Sequence, residues 1–334
     1  MLTHLDLEYF QGLVEIDMMS LSYNRRIILH QKDIEITRSE LFITGTHSPM
    51  KLDILDTELF DKIEEIIPSI RIIDTSYEPQ SEIVTFMTEH DLEPNQKLTL
   101  RLKYKAPYSK KLDGLYKTQR INSNKQRITI ASTQFEPTSA RKMFPCFDEP
   151  SMKATFQLTV IHDSNVYAIS NMPQLEGYPK ILTSNLTVSK FQVSVRMSTY
   201  LVSLSLIDFI NAKTVTDSGV VIKVYAPESD ANHLDFATSV AAKMLTFCEE
   251  FFGEKYPIQK LGDKKTNLDI VAMTEFMSGA MENFGHLIFR STNLIYDPTR
   301  TTLDTKRQIM MVICHELAHQ VNDSPLNIIG SVMI

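Results

Sequence analysis

The chain has 334 residues, 43% of them hydrophobic and 22% charged, with a net charge of −7. That length and apolar content suit about two globular domains with real cores, and the mild acidity, with no Lys/Arg cluster anywhere, argues against a nucleic-acid partner. Three scattered cysteines, Cys146, Cys248 and Cys314, make neither a disulfide framework nor a thiolate metal site.

The N-terminus shows no basic region followed by an apolar core, so no signal peptide is visible, and no run nears the roughly 18 apolar residues of a membrane span. Taken literally the sequence reads as cytoplasmic. Strand-like alternation begins within the first fifteen residues, which leaves room for a membrane-anchored ectodomain whose anchor precedes Met1. From there to about residue 210 the pattern is β. Leu98, Leu100, Leu102 and Tyr104 alternate with Thr99, Arg101 and Lys103, as in a strand with one face in a core. Similar runs cover Arg26–Ile36, Thr155–Ile161 and Phe191–Ile207, separated by turn residues at 93–95 and 176–179. A short helical pattern spans Thr57–Ile67.

After Asn211 the period changes. Ala237, Val240, Ala241, Met244, Leu245, Cys248 and Phe252 share one helix face, with Ser229 as N-cap and Gly253 as C-terminal stop. A strand at Leu268–Met273, a Gly-containing loop, a strand at His286–Arg290 and a helix from about Asp304 complete an α/β pattern. Ile309, Met310, Met311, Val312, Ile313 and Leu317 leave that last helix apolar nearly all round, which predicts a helix enclosed by neighbours. Cys314 reads as a small buried hydrophobe pointing about 100° away from the adjacent His315.

Three strings carry chemistry. His315-Glu316-Leu317-Ala318-His319 puts two histidines one helical turn apart on one face, able to share a zinc ion, with Glu316 close enough to deprotonate water there. Gly279-Ala280-Met281-Glu282-Asn283 lies between two strands. Its small residues allow a close backbone approach, an exposed strand edge can pair with a peptide, and Glu282 could meet a cation, although for this segment alone a turn with a solvated glutamate is the favoured reading. Thr133-Gln134-Phe135-Glu136-Pro137, continuing through Arg141 to Phe144-Pro145-Cys146-Phe147-Asp148-Glu149-Pro150, is by itself a Pro-punctuated loop with locally paired charges.

Taken together, in this order, the strings resemble the gluzincin aminopeptidases of the aminopeptidase N type over nearly the whole chain. The resemblance implies a mainly antiparallel β-sheet N-terminal domain over residues 1–210 and part of an α/β thermolysin-like zinc metallopeptidase domain over 211–334. It implies removal of N-terminal residues from peptides by zinc-activated water, with one Zn2+ per complete site and peptides with a free N-terminus as partners. It assigns His315 and His319 as metal ligands and Glu316 as general base. Gln134, Glu136, Gly279, Ala280, Met281, Glu282 and Asn283 would bind substrate, Glu282 and Glu136 gripping the α-amine.

The family takes its third zinc ligand, a glutamate, and the tyrosine that stabilises the oxyanion from positions beyond Ile334. After Gln320 the text VNDSPLNIIGSVMI departs from the family's Trp-rich continuation, and the chain has no Trp. Asp323, four residues after His319, is a substitute third ligand only if the helix continues through it, and Pro325 opposes that. The alternative expectation is therefore a catalytically inactive fragment that binds peptide N-termini or has no function.

Overall fold

The computed structural model describes residues 1–44, 70–122, 124–258 and 267–322. The helix expected over Thr57–Ile67, and both Asp323 and Pro325, lie outside them.

The leading region is built from β1 (Tyr9–Met19), β2 (Asn24–His30), β3 (Glu35–Ile43), β4 (Ile72–Glu78), β5 (Ile83–Leu92), β6 (Lys97–Pro107), β7 (Gly114–Ile121) and β8 (Arg127–Gln134). It continues with β9 (Thr159–Asp163), β10 (Tyr167–Ser170), β11 (Lys180–Ile181), β12 (Leu186–Lys190) and β13 (Leu204–Ile207). Every ladder among these strands is antiparallel, in four small sheets ordered β1-β6-β3, β2-β5-β4, β11-β12-β9 and β10-β13-β8-β7.

Three expected strands need correction. Arg26–Ile36 is not one strand: β2 ends at His30 and β3 starts at Glu35, with Asp33 at φ 56° in the turn between them. Thr155–Ile161 is regular only from Thr159. Phe191–Ile207 is regular only from Leu204, in a different sheet from the preceding β12, because its hydroxyl side chains hydrogen-bond to other loops. Ser194 Oγ accepts from Phe156 N at 2.9 Å, Ser198 Oγ donates to Pro150 O at 2.7 Å, and Thr199 Oγ1 donates to Phe147 O at 3.0 Å. β6 departs from expectation in another way. Thr99 and Arg101 are buried as fully as the leucines, because β6 is the middle strand and its polar face is covered as well. Thr99 donates to Asp17 Oδ1 at 2.6 Å and Arg101 Nε to Glu15 Oε1 at 2.8 Å.

The second region is a five-stranded sheet ordered β14-β15-β16-β18-β17, formed by β14 (Ile210–Val215), β15 (Val221–Ala226), β16 (Asn267–Met273), β17 (Ala280–Met281) and β18 (His286–Arg290). Its three central strands are parallel and its two edges antiparallel. Ile270, Val271, Ala272, Leu287, Ile288 and Phe289 are fully buried, the continuous apolar run that parallel strands covered on both faces require. Helix α1 (Leu234–Phe252) follows β15, and α2 (Leu303–Asn322) follows β18.

Gly253 ends α1 in the left-handed conformation at φ 70°, as expected, but Ser229 is not the N-cap. Residues Glu228–His233 form a 3₁₀ segment first, consistent with a run of Ser, Asp, Asn and His that favours local hydrogen bonding over helix. Helix α2 is not enclosed all round. Ile309, Ile313, Leu317 and Val321, spaced four apart, form its buried stripe, whereas Met310 and Met311 are 37% and 71% exposed. Cys314 is half-buried and packs at the margin of the same core. That core is one continuous cluster running from Phe10 and Tyr104 in the first region to Leu317 and Val321 in the second.

Candidate active site

Helix α2 presents His315 exposed and His319 half-buried, with the two Nε2 atoms 3.2 Å apart and the rings edge to face. Two nitrogens bound at about 2.0–2.1 Å to a tetrahedral zinc lie roughly 3.3–3.4 Å from each other, so the observed pair fits a shared metal ion. Among the described residues no third His, Cys, Asp or Glu joins them in a metal-binding group. Glu316 lies between them in sequence and is buried. It is 5% exposed, and its Oε2 is buried without a hydrogen-bond partner.

The 279–286 segment runs alongside. Ala280 and Met281 form the edge strand β17, paired with β18 on one side only, and Gly279 and Ala280 are half-buried. Arg290 N and Asn293 Nδ2 both donate to Gly279 O, at 3.0 and 3.2 Å. Glu282 is half-buried, and beyond it the chain is held from two directions. Asn283 Nδ2 donates to Leu201 O at 3.2 Å, and Asn171 Nδ2 donates to Phe284 O at 2.9 Å and to Leu201 O at 2.7 Å. Gly285 takes φ 75°, and a Cβ there would lie 2.1 Å from Asn171 O, so only glycine fits this crossing. His286 is enclosed between Ser203 Oγ at 2.9 Å and Ser205 Oγ at 3.2 Å, and burial pushes its pKa down to about 3. The opposite grip comes from α2, through Gln320.

The third string splits in two. Gln134, at the end of β8, is buried with its Nε2 3.7 Å from Met281 Sδ and its Oε1 without a partner. Glu136 follows, open to solvent over much of its surface. The remainder is a structural lock. Arg141 Nε donates to Asp148 Oδ2 at 2.9 Å, Arg141 NH2 to Asp148 O at 3.2 Å and NH1 to Glu82 Oε2 at 3.1 Å.

Electrostatics show which of these groups share one space. Burial raises the Glu316 pKa to about 8; the Glu282 charge adds to the rise, His319 opposes it, and Glu136 adds further. Partial desolvation raises Glu136 as well, followed by the Glu282 charge, with His319 again opposing. Glu136 just after β8, Glu282 beside β17, and Glu316 and His319 on α2 therefore lie within reach of one another's charge. That cluster can hold a cation and accept protons. Sequence reasoning missed Gln320, Asn171, Ser203, Ser205 and His286; only Gln320, directly after the second histidine, carried any positional signal.

Comparison with known proteins identifies the family. Residues 2–201 match the peptidase M1 N-terminal domain, and residues 236–322 match the peptidase family M1 domain. The chain belongs to peptidase family M1. It is 35% identical over 290 residues to endoplasmic reticulum aminopeptidase 1 of Rattus norvegicus, covering 86% of this chain and 30% of that protein. It is 34% identical over 320 residues to endoplasmic reticulum aminopeptidase 2 of Homo sapiens, covering 96% of this chain and 30% of the relative. To aminopeptidase N of Canis lupus familiaris it is 35% identical over 245 residues, 72% of this chain and 24% of that one. The matched stretches thus span 24–30% of the length of these relatives. Among the described residues no helix is long and apolar enough to cross a membrane.

Proposed function

We propose that the chain carries the amine-gripping and histidine-bearing part of a zinc aminopeptidase site, with the division between its two domains near residue 210. What supports this reading is that Glu136, Glu282, Glu316 and His319, from three separate parts of the chain, lie within reach of one another's charge. His315 and His319 would hold the metal. A zinc ion there would polarise a peptide carbonyl and acidify water. Glu282 and Glu136 would grip the α-ammonium of a peptide through charge-assisted hydrogen bonds, which orients its first peptide bond toward the histidines. Glu316, desolvated and with one oxygen unpartnered, would accept the proton from the attacking water. Gln134 and Met281 would form the floor beneath the first side chain, and the edge of β17 with Gly279 and Ala280 would pair with the peptide backbone.

The absence of a third metal-binding side chain among the described residues favours a second reading, in which the chain holds peptide N-termini without hydrolysing them. Metal analysis and release of leucine from leucine amide separate the two. The first reading expects zinc binding that His319→Ala weakens by about 10² or more, and hydrolysis lost in Glu316→Gln. Undiminished zinc in His319→Ala would overturn the metal assignment. Zinc binding with amine-dependent peptide affinity but no hydrolysis would establish the second reading.

A further inference from the structure

Gln320 follows His319 directly and lies one helical turn after Glu316, so its side chain leaves α2 beside the carboxyl of Glu316. It is fully buried. Its Nε2 donates to Glu282 O at 2.8 Å and to Asn283 O at 3.4 Å, while its Oε1 accepts from Gly285 N at 3.0 Å. The amide orientation is forced, because two carbonyls must face a donor and the glycine N–H must face an acceptor. One side chain therefore ties the helix bearing both histidines and Glu316 to the backbone of Glu282.

The far side of the same segment is anchored without Gln320. Asn171 holds Phe284 O, Asp269 N donates to Gly285 O at 3.1 Å, and Ser203 and Ser205 enclose His286. Removing the Gln320 amide thus leaves the segment seated on the first region and on β16 but frees its spacing from α2. Glu282 and the histidines would each survive, and the distance between them would no longer be set.

We propose that Gln320 is a positioning residue that sets the separation between Glu282 and the His315–Glu316–His319 group and thereby sets selectivity for a free α-amine. This rests on the reading that Glu282 grips the α-amine. A generic packing role predicts something different: loss of Gln320 would weaken every ligand alike, whereas a spacing role alters the preference between ligands that differ only at the amine.

The test uses the full 334-residue chain with zinc chloride present, and the probes L-leucinol and N-acetyl-L-leucinol, neither of which has a peptide bond following a free amine. In the unsubstituted chain leucinol binds more tightly. In Gln320→Met the ratio of the two affinities falls by about tenfold or more, since a misplacement on the order of 1 Å costs up to about 10²-fold. Binding of the acetylated probe stays within about twofold, and the Gly285 amide loses its protection from hydrogen exchange. If Gln320→Met does not fold, Gln320→Glu is measured instead; it keeps an acceptor for Gly285 N but cannot donate to Glu282 O, and the same fall in ratio is expected. An unchanged ratio in a folded variant overturns the role of Gln320. Equal binding of both probes by the unsubstituted chain removes the amine site itself and this inference with it, and that failure is seen before any substitution is made.

Discussion

His315 stands exposed on α2 and His319 is half-buried beside it, whereas Asn283, Phe284, Gly285 and His286 are all buried and hydrogen-bonded on both sides. The histidine face is thus open and locally simple. The carboxylate face rests on a segment whose backbone positions are fixed by the first region and by Gln320. Changes on the open face should alter binding with little effect on folding, and changes on the clamped face should cost stability before they alter chemistry. The division suits the proposed site, which would admit a metal and a peptide from solvent while keeping one glutamate at a set place.

The clamped side extends to the Arg141–Asp148 lock, and the largest loss of stability is expected there. Asp148 is 2% exposed and takes its charge partner from Arg141. Arg141→Ala leaves that carboxylate buried and unpaired, and should cost about 3–5 kcal/mol. Urea unfolding followed by far-UV circular dichroism measures it; a loss under about 1 kcal/mol would place the lock among weak surface pairs. Gly285→Ala comes next. Left-handed φ and a 2.1 Å approach to Asn171 O act together, so about 2–4 kcal/mol is expected. Asn171→Gly combined with Gly285→Ala should not restore stability, because the obstructing atom belongs to the backbone.

How much of this could be read beforehand follows from where each signal resides. The helical turn linking His315 to His319 and the α1 and α2 periodicities are local, and they appear in the structure close to where the spacing puts them. The burial of Thr99 and Arg101 was not legible, because it depends on side chains of the neighbouring strands, Glu15 and Asp17 on β1 and Glu40 and Phe42 on β3, meeting them on the polar face of β6. Likewise, nothing around Ser198 or Thr199 in sequence announces that their hydroxyls meet Pro150 and Phe147 and break the strand. The clamp was hidden for the same reason. Asn171 and Phe284 are partners across two regions, and His286 looked like an ordinary member of a strand. The apolar set on α2 misled in the opposite sense, since hydrophobic identity did not say which side chains a neighbour covers.

A pH dependence of intermediate size should come from His286 in this clamp and from His162 on β9. Burial lowers the pKa of His286 to about 3 and lowers that of His162 too, against about 6.5 in an unfolded chain. Below about pH 6.5 the unfolded state takes up protons that the folded state refuses, so stability falls as pH drops toward 3. Glu316, raised to about 8, works against this above its unfolded value near 4.5. In Glu316→Gln, with EDTA present to keep metal away, stability should therefore fall by about 1 kcal/mol per pH unit between 6.5 and 4.5, while the unsubstituted chain is flatter over that window. A His286 C2–H resonance that titrates near pH 6.5 in the folded chain would break the argument.

The smallest effect belongs to the outer faces of the two helices. Met311 and Phe251 are each 71% exposed, Leu303 is 75% exposed and Phe247 is 52% exposed. Phe247 and Phe251 stack on each other at 5.8 Å, so part of their contact is mutual and survives at the surface. None of these side chains belongs to the buried stripe of its helix, and little apolar area leaves water through them when the described chain folds. Met311→Gln should therefore stay within about 0.5 kcal/mol of the unsubstituted chain. Ile313→Ala, two residues further along and fully buried, should cost about 2–5 kcal/mol. The pair is informative because both positions lie on the same helix, with the same propensity context and within one turn of His315. Thermal unfolding of both variants at matched protein concentration measures the contrast. A loss above about 1.5 kcal/mol in Met311→Gln would mean that this face is covered in solution, and the stripe at Ile309, Ile313, Leu317 and Val321 would then account for only part of the packing of α2.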